Sequence, residues 1–406
     1  LRAAVGDRYK FIVNGSLWRT DPRARAYGPT SNNSSVVLAD PPAPAPFQRP
    51  AAHELVLYEL HAGTFHDPDP GDGLVGTFLD ATQRLDHLAA LGVNAVSVMP
   101  CAEFLSTRSW GYNPAGLFAI ERDYGGRDAF AAFVAACHAR GIAVLVDIVN
   151  NHWGTPVGDL WQFDATSAAP ATGGLYFYED ARAATDWGPR PNFDAPDVRA
   201  FILDSLSAYL ALGFDGFRWD AVDHMVRIGG SGALIPAAVD LLQEAAGLVR
   251  AAGGLVVAEN AMDEAPAAFD AQWNLAFRSA LADALSRADP ASRAEPLAAA
   301  LQAVGTDSVV YVESHDTAGK LNSGALRWPL KVAATNRTLA LTGIALAGLA
   351  RGTPMLFQDQ ETLHTNLWHD DRPMDWTFAA DELQAIAFHR DLFRLRRNLD
   401  ALSPAL

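Results

Sequence analysis

Cysteine is scarce: Cys101 and Cys137 are the only two in 406 residues, with no CxxC spacing and no third thiol. That excludes a disulfide scaffold and a thiolate metal centre. The expectation is two buried free thiols in a cytoplasmic protein. Positive charge is also in deficit, with 31 Lys and Arg against 47 Asp and Glu, a formal net charge of −16. No basic stripe interrupts the acidity, which excludes a nucleic-acid partner and suits a neutral substrate. Long apolar runs are missing as well. The longest uncharged apolar stretch, Thr338 to Ala350, is shorter than the ~20 residues of a membrane span and is expected to be a buried helix. Neither an HExxH zinc motif nor a GxSxG nucleophile elbow occurs. Gly71 to Gly76 spells GxGxxG, but it starts eleven residues after the strand-like run that ends at Leu60. Asp67, Asp69 and Asp72 would moreover repel a pyrophosphate there.

What is present is a large hydrophobic fraction, 50%, enough for a sizeable core. The chain opens on Leu1 within a strand-like run and carries no visible leader, so it is expected to begin inside a longer protein. Arg8–Val13, Asn14-Gly15 and Ser16–Thr20 spell a hairpin, because Asn-Gly between apolar alternations favours a tight turn. Residues 1–40 are therefore expected to be the C-terminal part of a β-sandwich module, and the proline-dense residues 41–50 a stiff linker. From residue 51 to 406 strand and helix patterns alternate. Eight apolar runs qualify as strands: Leu55–Leu60, Val93–Pro100, Ala143–Val149, Phe214–Trp219, Leu255–Glu259, Phe269–Trp273, Ser308–Glu313 and Thr353–Phe357. Helical patterns lie between them, over Phe78–Leu91, Asp128–Arg140, Asp197–Leu212, Ala233–Ala252 and Asn336–Arg351. Nearly continuous apolar strands imply parallel strands covered on both faces. The fold expected is an α/β (β/α)8 TIM barrel, with a doubly wound open sheet as the alternative. Residues 153–192 break the rhythm and are expected to form a short lobe after strand 3. Trp161, Tyr176, Phe177, Tyr178 and Trp187 cluster there, either as packing or as sugar-stacking platforms.

Catalytic groups of such a barrel sit at the C-terminal ends of its strands. Strand 3 ends in Asp147, Asn151 and His152; strand 4 in Arg218 and Asp220; strand 5 in Glu259; strand 7 in His315 and Asp316. Three acids from three strands converge on one mouth. Arg218 and Asp220, two apart, share a face of their strand, so the guanidinium favours an ionised Asp220. Retaining glycoside cleavage needs one ionised carboxylate and one protonated carboxyl about 5–5.5 Å apart, and Asp220 with Glu259 on adjoining strands form the natural pair.

The segments DIVNNH (Asp147–His152), GFRWDAVDH (Gly216–His224), VVAEN (Val256–Asn260) and ESHDT (Glu313–Thr317) resemble, in order, the four signature regions of glycoside hydrolase family 13, the α-amylase family. The resemblance spans Leu55 to about Phe393. It implies Asp220 as nucleophile, Glu259 as general acid/base and Asp316 as the third catalytic acid. It further implies Tyr112, His152, Arg218, His315 and Asp147 as substrate-binding or supporting residues. Asn151 and Asn192 fall where calcium-binding members place ligands; no cofactor is otherwise required. Asp223 departs from the lysine found there in many α-amylases and leaves the subtype open. YELHAGTF (Tyr58–Phe65), SWGYNP and YFYEDARAATDWGPRPNF (Tyr176–Phe193) resemble the branching, debranching and trehalose-releasing group, and Gly6–Ala26 resembles the end of its glucan-binding module. The expected partner is an α-glucan polysaccharide or oligosaccharide. The expected reaction is cleavage of α-1,4-glucosidic bonds, leaning to branching transfer onto a 6-hydroxyl. The alternatives are amylase-like hydrolysis and, from another class, a non-catalytic glucan-binding barrel.

Overall fold

A computed structural model describes residues 2–29, 34–154, 159–165, 173–259, 268–319, 336–364 and 366–398. Fourteen strands lie among them. The first four are β1 (Arg8–Tyr9), β2 (Phe11–Val13), β3 (Leu17–Arg19) and β4 (Ser35–Val36). β5 (Leu57–Leu60), β6 (Ala95–Val98), β7 (Ala102–Phe104), β8 (Pro114–Ile120) and β9 (Ala143–Ile148) follow. The last are β10 (Gly216–Trp219), β11 (Leu255–Ala258), β12 (Ala271–Trp273), β13 (Ser308–Tyr311) and β14 (Thr353–Phe357). β5, β6, β9, β10, β11, β12, β13 and β14 close into a parallel barrel, β14 pairing back onto β5. These are the eight runs expected from the sequence, so the chain is a (β/α)8 barrel. Among the described residues, helices connect every successive pair of barrel strands except β11 and β12, as parallel pairing requires.

The barrel has two cores. Leu57, Ala95, Leu145, Val257, Trp273, Tyr311 and Met355 fill its interior. Val56, Val96, Val144, Phe217, Val256 and Val310, the alternate residues of the same strands, pack outward against the helices. Successive side chains of a strand point to opposite faces, so both faces must be apolar here. The linker is part of this packing. Phe47 lies against the inner core and stacks on His138 at 3.9 Å, and His138 Nε2 is 2.8 Å from Asp215 Oδ2. This closes the end of the barrel opposite the catalytic mouth.

Departures from the sequence expectation are local. Phe78–Leu91 is two helices, Phe78–Thr82 and Leu85–Leu91, with Thr77 capping the first and Gly92 (φ 99°) ending the second. The antiparallel hairpin β7–β8 after the second barrel strand and the helices Leu275–Ser286, Ala294–Gln302 and Ala380–Arg397 add to the expected elements, the first of these helices capped by Asn274, which accepts the Phe277 N–H at 2.8 Å. β2 and β3 form the Asn-Gly hairpin, with Asn14 and Gly15 both at positive φ. This segment leans on residues 159–165: Arg19 donates to the carbonyls of Phe163 (2.9 Å) and Gln162 (3.0 Å), and Thr20 to Asp159 (2.7 and 2.8 Å). Among the described residues no helix is long and apolar enough to cross a membrane.

Candidate active site

Strand parity assembles the site. On β9 the inward positions run Ala143, Leu145, Asp147; on β10 they run Gly216, Arg218, then Asp220 just past its end. The register pairs Arg218 with both Asp147 and Val257, and Trp219 with Ala258. Asp220 and Glu259 are each the next residue, so they stand side by side on strands roughly 4.8 Å apart. Neighbouring positions on adjoining strands are where a retaining pair, its carboxyl groups about 5–5.5 Å apart, would be carried. Ala221 then turns the chain sharply, at φ 41° and ψ 57°, a conformation costly for a residue with a Cβ. The turn aims its N–H at Glu259 Oε2 (3.0 Å), so local strain fixes the acid.

Arg218 is the hub. Nη1 lies 2.6 Å from Asp147 Oδ2 and 3.1 Å from Asp220 Oδ1, and Nη2 lies 2.6 Å from Glu259 Oε2. Its guanidinium sits 4.2 Å over the Trp273 ring. Asn151 Nδ2 donates to Asp220 Oδ2 (2.7 Å) and to the Asp220 carbonyl (3.0 Å). Burial and the neighbouring Glu259 push the Asp220 carboxyl well above the usual carboxylate range, while Arg218 and Asn151 pull it down. Asp147, raised by burial to about 6 against the pull of Arg218, accepts the Tyr112 hydroxyl at 2.6 Å. Tyr112 in turn stacks on His315, with ring centroids 5.0 Å apart.

On the far arc His315 Nδ1 lies 2.6 Å from Glu59 Oε1, and its backbone N–H donates to Glu59 Oε2 (2.9 Å). Burial disfavours the charged ring, but Glu59 and Asp316 outweigh it and raise His315 to about 9. Asp316 Oδ2 is 3.6 Å from His315 Nε2, and its side chain remains 42% exposed toward the mouth. His152 donates from Nε2 to the Tyr112 carbonyl (2.7 Å), and burial pushes its ring down to about 4. Beside Asp316 a groove of about 710 Å³ opens, lined among others by Ala318, Trp368, Asp359, Arg372, Trp376 and His66.

A pH prediction follows from His315. A folded-state value above the ordinary 6.5 means stabilisation that is complete below about 6.5 and lost as pH rises through about 9. Glu59→Gln is expected to lower stability at neutral pH and to flatten the fall of the unfolding midpoint between pH 7 and 10. Parallel midpoint curves for parent and variant would refute the pairing.

Every candidate on the barrel strands is thus brought to one mouth. The two calcium candidates each make hydrogen bonds. Asn151 spends its amide N–H on Asp220 and its Oδ1 lies 2.5 Å from His152 Nδ1. Asn192 Oδ1 accepts the Asp194 N–H (3.1 Å) just ahead of the helix Pro196–Leu210. Among the described residues no group of three or more His, Cys, Asp or Glu is arranged to hold a metal. Asn151 is a donor to Asp220. Glu59 and Trp273 were missed by sequence reasoning, although Glu59, the one charge in an apolar strand two residues past inward Leu57, was a usable signal.

The site is thus the mouth of a parallel barrel that gathers three acids around one arginine. Residues 59–168 match the family model described as the alpha amylase catalytic domain. The chain is 34% identical over 229 residues to malto-oligosyltrehalose trehalohydrolase of Saccharolobus solfataricus, covering 55% of this chain and 37% of that one. It is 40% identical over 176 residues to the Arthrobacter ramosus trehalohydrolase, covering 42% and 27%. With 1,4-alpha-glucan branching enzyme GlgB of Ralstonia nicotianae it shares 34% identity over 249 residues, covering 56% and 31%. These matches thus span between about a quarter and just over a third of the length of those relatives. A crystal structure from Salmonella typhimurium, assigned to the alpha amylases, has the same fold with a TM-score of 0.78. It is 24% identical and covers 97% of this chain and 78% of that one.

Proposed function

We propose that this protein cleaves α-1,4-glucosidic bonds of an α-glucan with retention, by double displacement. The observation that carries it is the next-register placement of Asp220 and Glu259, tied by Arg218. The acid step needs a proton on Glu259 and an ionised Asp220, to which Arg218 and Asn151 both donate. Glu259 donates its proton to the departing glycosidic oxygen while Asp220 Oδ attacks the anomeric carbon, and a glycosyl-ester forms. Glu259, now a carboxylate, takes the proton of the incoming hydroxyl, which displaces Asp220. Tyr112, stacked on His315, offers an aromatic face to the sugar under attack, and Asp316, exposed to the mouth, grips its hydroxyls.

The acceptor decides the finer activity. The segments shared with the branching group favour transfer to a 6-hydroxyl. The similarity to two trehalohydrolases over 229 and 176 residues favours a second reading, in which water releases trehalose from malto-oligosyltrehalose. Incubation with amylose followed by proton NMR separates them. Growth of α-1,6 signal without new reducing ends supports the transferase; release of trehalose from malto-oligosyltrehalose supports the hydrolase. A folded protein that alters neither substrate overturns the proposal.

Glu259→Gln keeps shape and removes the proton. It is expected to slow amylose cleavage by about 10²–10⁴, the usual worth of a general acid. α-Maltosyl fluoride, whose fluoride leaves unaided, should lose far less in its first step. Equal losses on both substrates would remove Glu259 from the acid role.

A further inference from the structure

Tyr112 reaches the site on a turn, and side chains that the proposed cleavage does not use hold that turn from behind. The turn runs from Ser109 to Asn113. Ser109 Oγ accepts the Gly111 N–H (3.0 Å) and donates to Asn113 Oδ1 (2.5 Å). Gly111 has φ 92°, and a Cβ there would come 2.0 Å from the Pro100 carbonyl oxygen, so the turn lies tight against the chain just past β6. Its two aromatics follow from that seat. Trp110 stands 5.1 Å from the Trp368 ring, and Tyr112 stands 5.0 Å from the His315 ring while its hydroxyl reaches Asp147.

The first carbonyl of the turn is held by a chain of hydrogen bonds whose directions can be worked out one by one. The His61 backbone N–H donates to Gln358 Oε1 (2.8 Å), so the other end of that amide, Nε2, is the donor to Thr64 Oγ1 (3.0 Å). Trp368 Nε1, which can only donate, also meets Thr64 Oγ1 (3.0 Å). With both acceptor sites taken, the Thr64 hydroxyl gives its one proton to His61 Nδ1 (3.0 Å). The His61 ring proton is then on Nε2, aimed at the Ser109 carbonyl (2.9 Å). Tyr124, whose oxygen lies 2.8 Å from His61 Nε2, gives its own proton to the same carbonyl (3.2 Å). His61, Thr64 and Tyr124 are all buried. Burial pushes the His61 ring down to about 4, in agreement with a ring that carries one proton. A buried network with each proton assigned rigidifies whatever it holds.

Thr64 follows β5, Ser109 follows β7, and Gln358 and Trp368 follow β14, so one hydroxyl joins three sides of the mouth. We infer that Thr64, through His61 and Tyr124, is a positioning group for Tyr112: its hydroxyl sets which ring nitrogen holds the Ser109 carbonyl, and so keeps the turn pressed to Asp147. The inference rests on the proposed cleavage site, in which Tyr112 faces the sugar and Asp147 supports Arg218. Its consequence falls on Asp147. That carboxyl is faced by Arg218 and Asp220 from β10, His315 from beyond β13, Cys101 from beyond β6, and Tyr112. The Tyr112 hydroxyl is among the groups that pull it down against burial. With the hydroxyl withdrawn, Asp147 rises beyond its value of about 6.

Thr64→Val, which keeps the shape and removes the hydroxyl, tests this in the whole chain. A carboxyl raised by folding destabilises increasingly as pH climbs from its ordinary value to its folded one. The stability deficit of Thr64→Val against the parent should therefore widen between pH 5 and pH 8. The acid limb of kcat/KM on maltoheptaose should move up by roughly half to one pH unit, the weight of one hydrogen bond. Thr64→Ser, which keeps the hydroxyl, should move neither. In Tyr112→Phe protein, where the phenol is already gone, adding Thr64→Val should leave both pH curves where Tyr112→Phe put them. Tyr124→Phe removes one donor to Ser109 and should shift both curves the same way by less, which keeps the test open if Thr64→Val does not fold. Parallel stability curves, an unmoved acid limb, or a further shift in the Tyr112→Phe background overturns the inference. A parent inert toward maltoheptaose would overturn the proposed cleavage instead, and the denaturation curves would still decide what seats Tyr112.

Discussion

Asp220→Asn is expected to reduce turnover of amylose by at least about a thousandfold while the protein stays folded and still binds glucan. The amide has the carboxylate's shape but no charge with which to attack the anomeric carbon. The stability cost should be small, because two opposing changes meet. Removing one of two adjacent buried acids relieves the repulsion between Asp220 and Glu259, and Arg218 keeps Asp147 and Glu259 as partners. Against that, the new amide N–H₂ meets the Asn151 amide that now donates to Asp220, donor against donor, at about 1–2 kcal/mol. Chemical denaturation and steady-state rates on the same preparation check both halves. Near-parental activity would sink Asp220 as nucleophile; loss of the folded state would mean that the charge is structural.

The largest stability effect belongs to Arg218→Gln. One guanidinium, 1% exposed, faces Asp147, Asp220 and Glu259 and rests on Trp273. Gln is shorter and neutral, and it leaves three acids in one buried pocket with no cation between them. Breaking a buried ion pair from one side costs about 3–5 kcal/mol, because the remaining charge is desolvated and unmatched. The cost should shrink at acid pH, where Asp147, already raised to about 6, takes up a proton. Activity should vanish as well, since Asp220 and Glu259 lose the group that sets their spacing. Denaturant midpoints at pH 5 and pH 8 check this. An equal, small loss at both would mean that the three acids are screened by something other than Arg218.

Much of this site could be read from the chain. Parallel strands buried on both faces are nearly all apolar, so the eight runs stood out, and a charge at the end of such a run is conspicuous. Asp147, Arg218, Asp220 and Glu259 were found that way, and two-residue alternation already put Arg218 and Asp220 on one face. The helix break at Gln83-Arg84 and the β7–β8 hairpin were not legible. Both are set by what the segments pack against, and propensity there is too weak to decide. Asn151 was legible only as a strand-end amide, because which way an amide is turned is a tertiary matter, and here its N–H points to Asp220.

The sequence alone therefore determined the kind of barrel, the acids and the order in which strands deliver them, because periodicity and strand-end chemistry are local properties. Only closure of the barrel decided the rest. It joined Glu59 to His315 across 256 residues, laid Trp273 under Arg218, and left Trp187 alone of the lobe's five clustered aromatics exposed. Those contacts join strands and loops far apart in the chain, and no local pattern encodes which of them become neighbours.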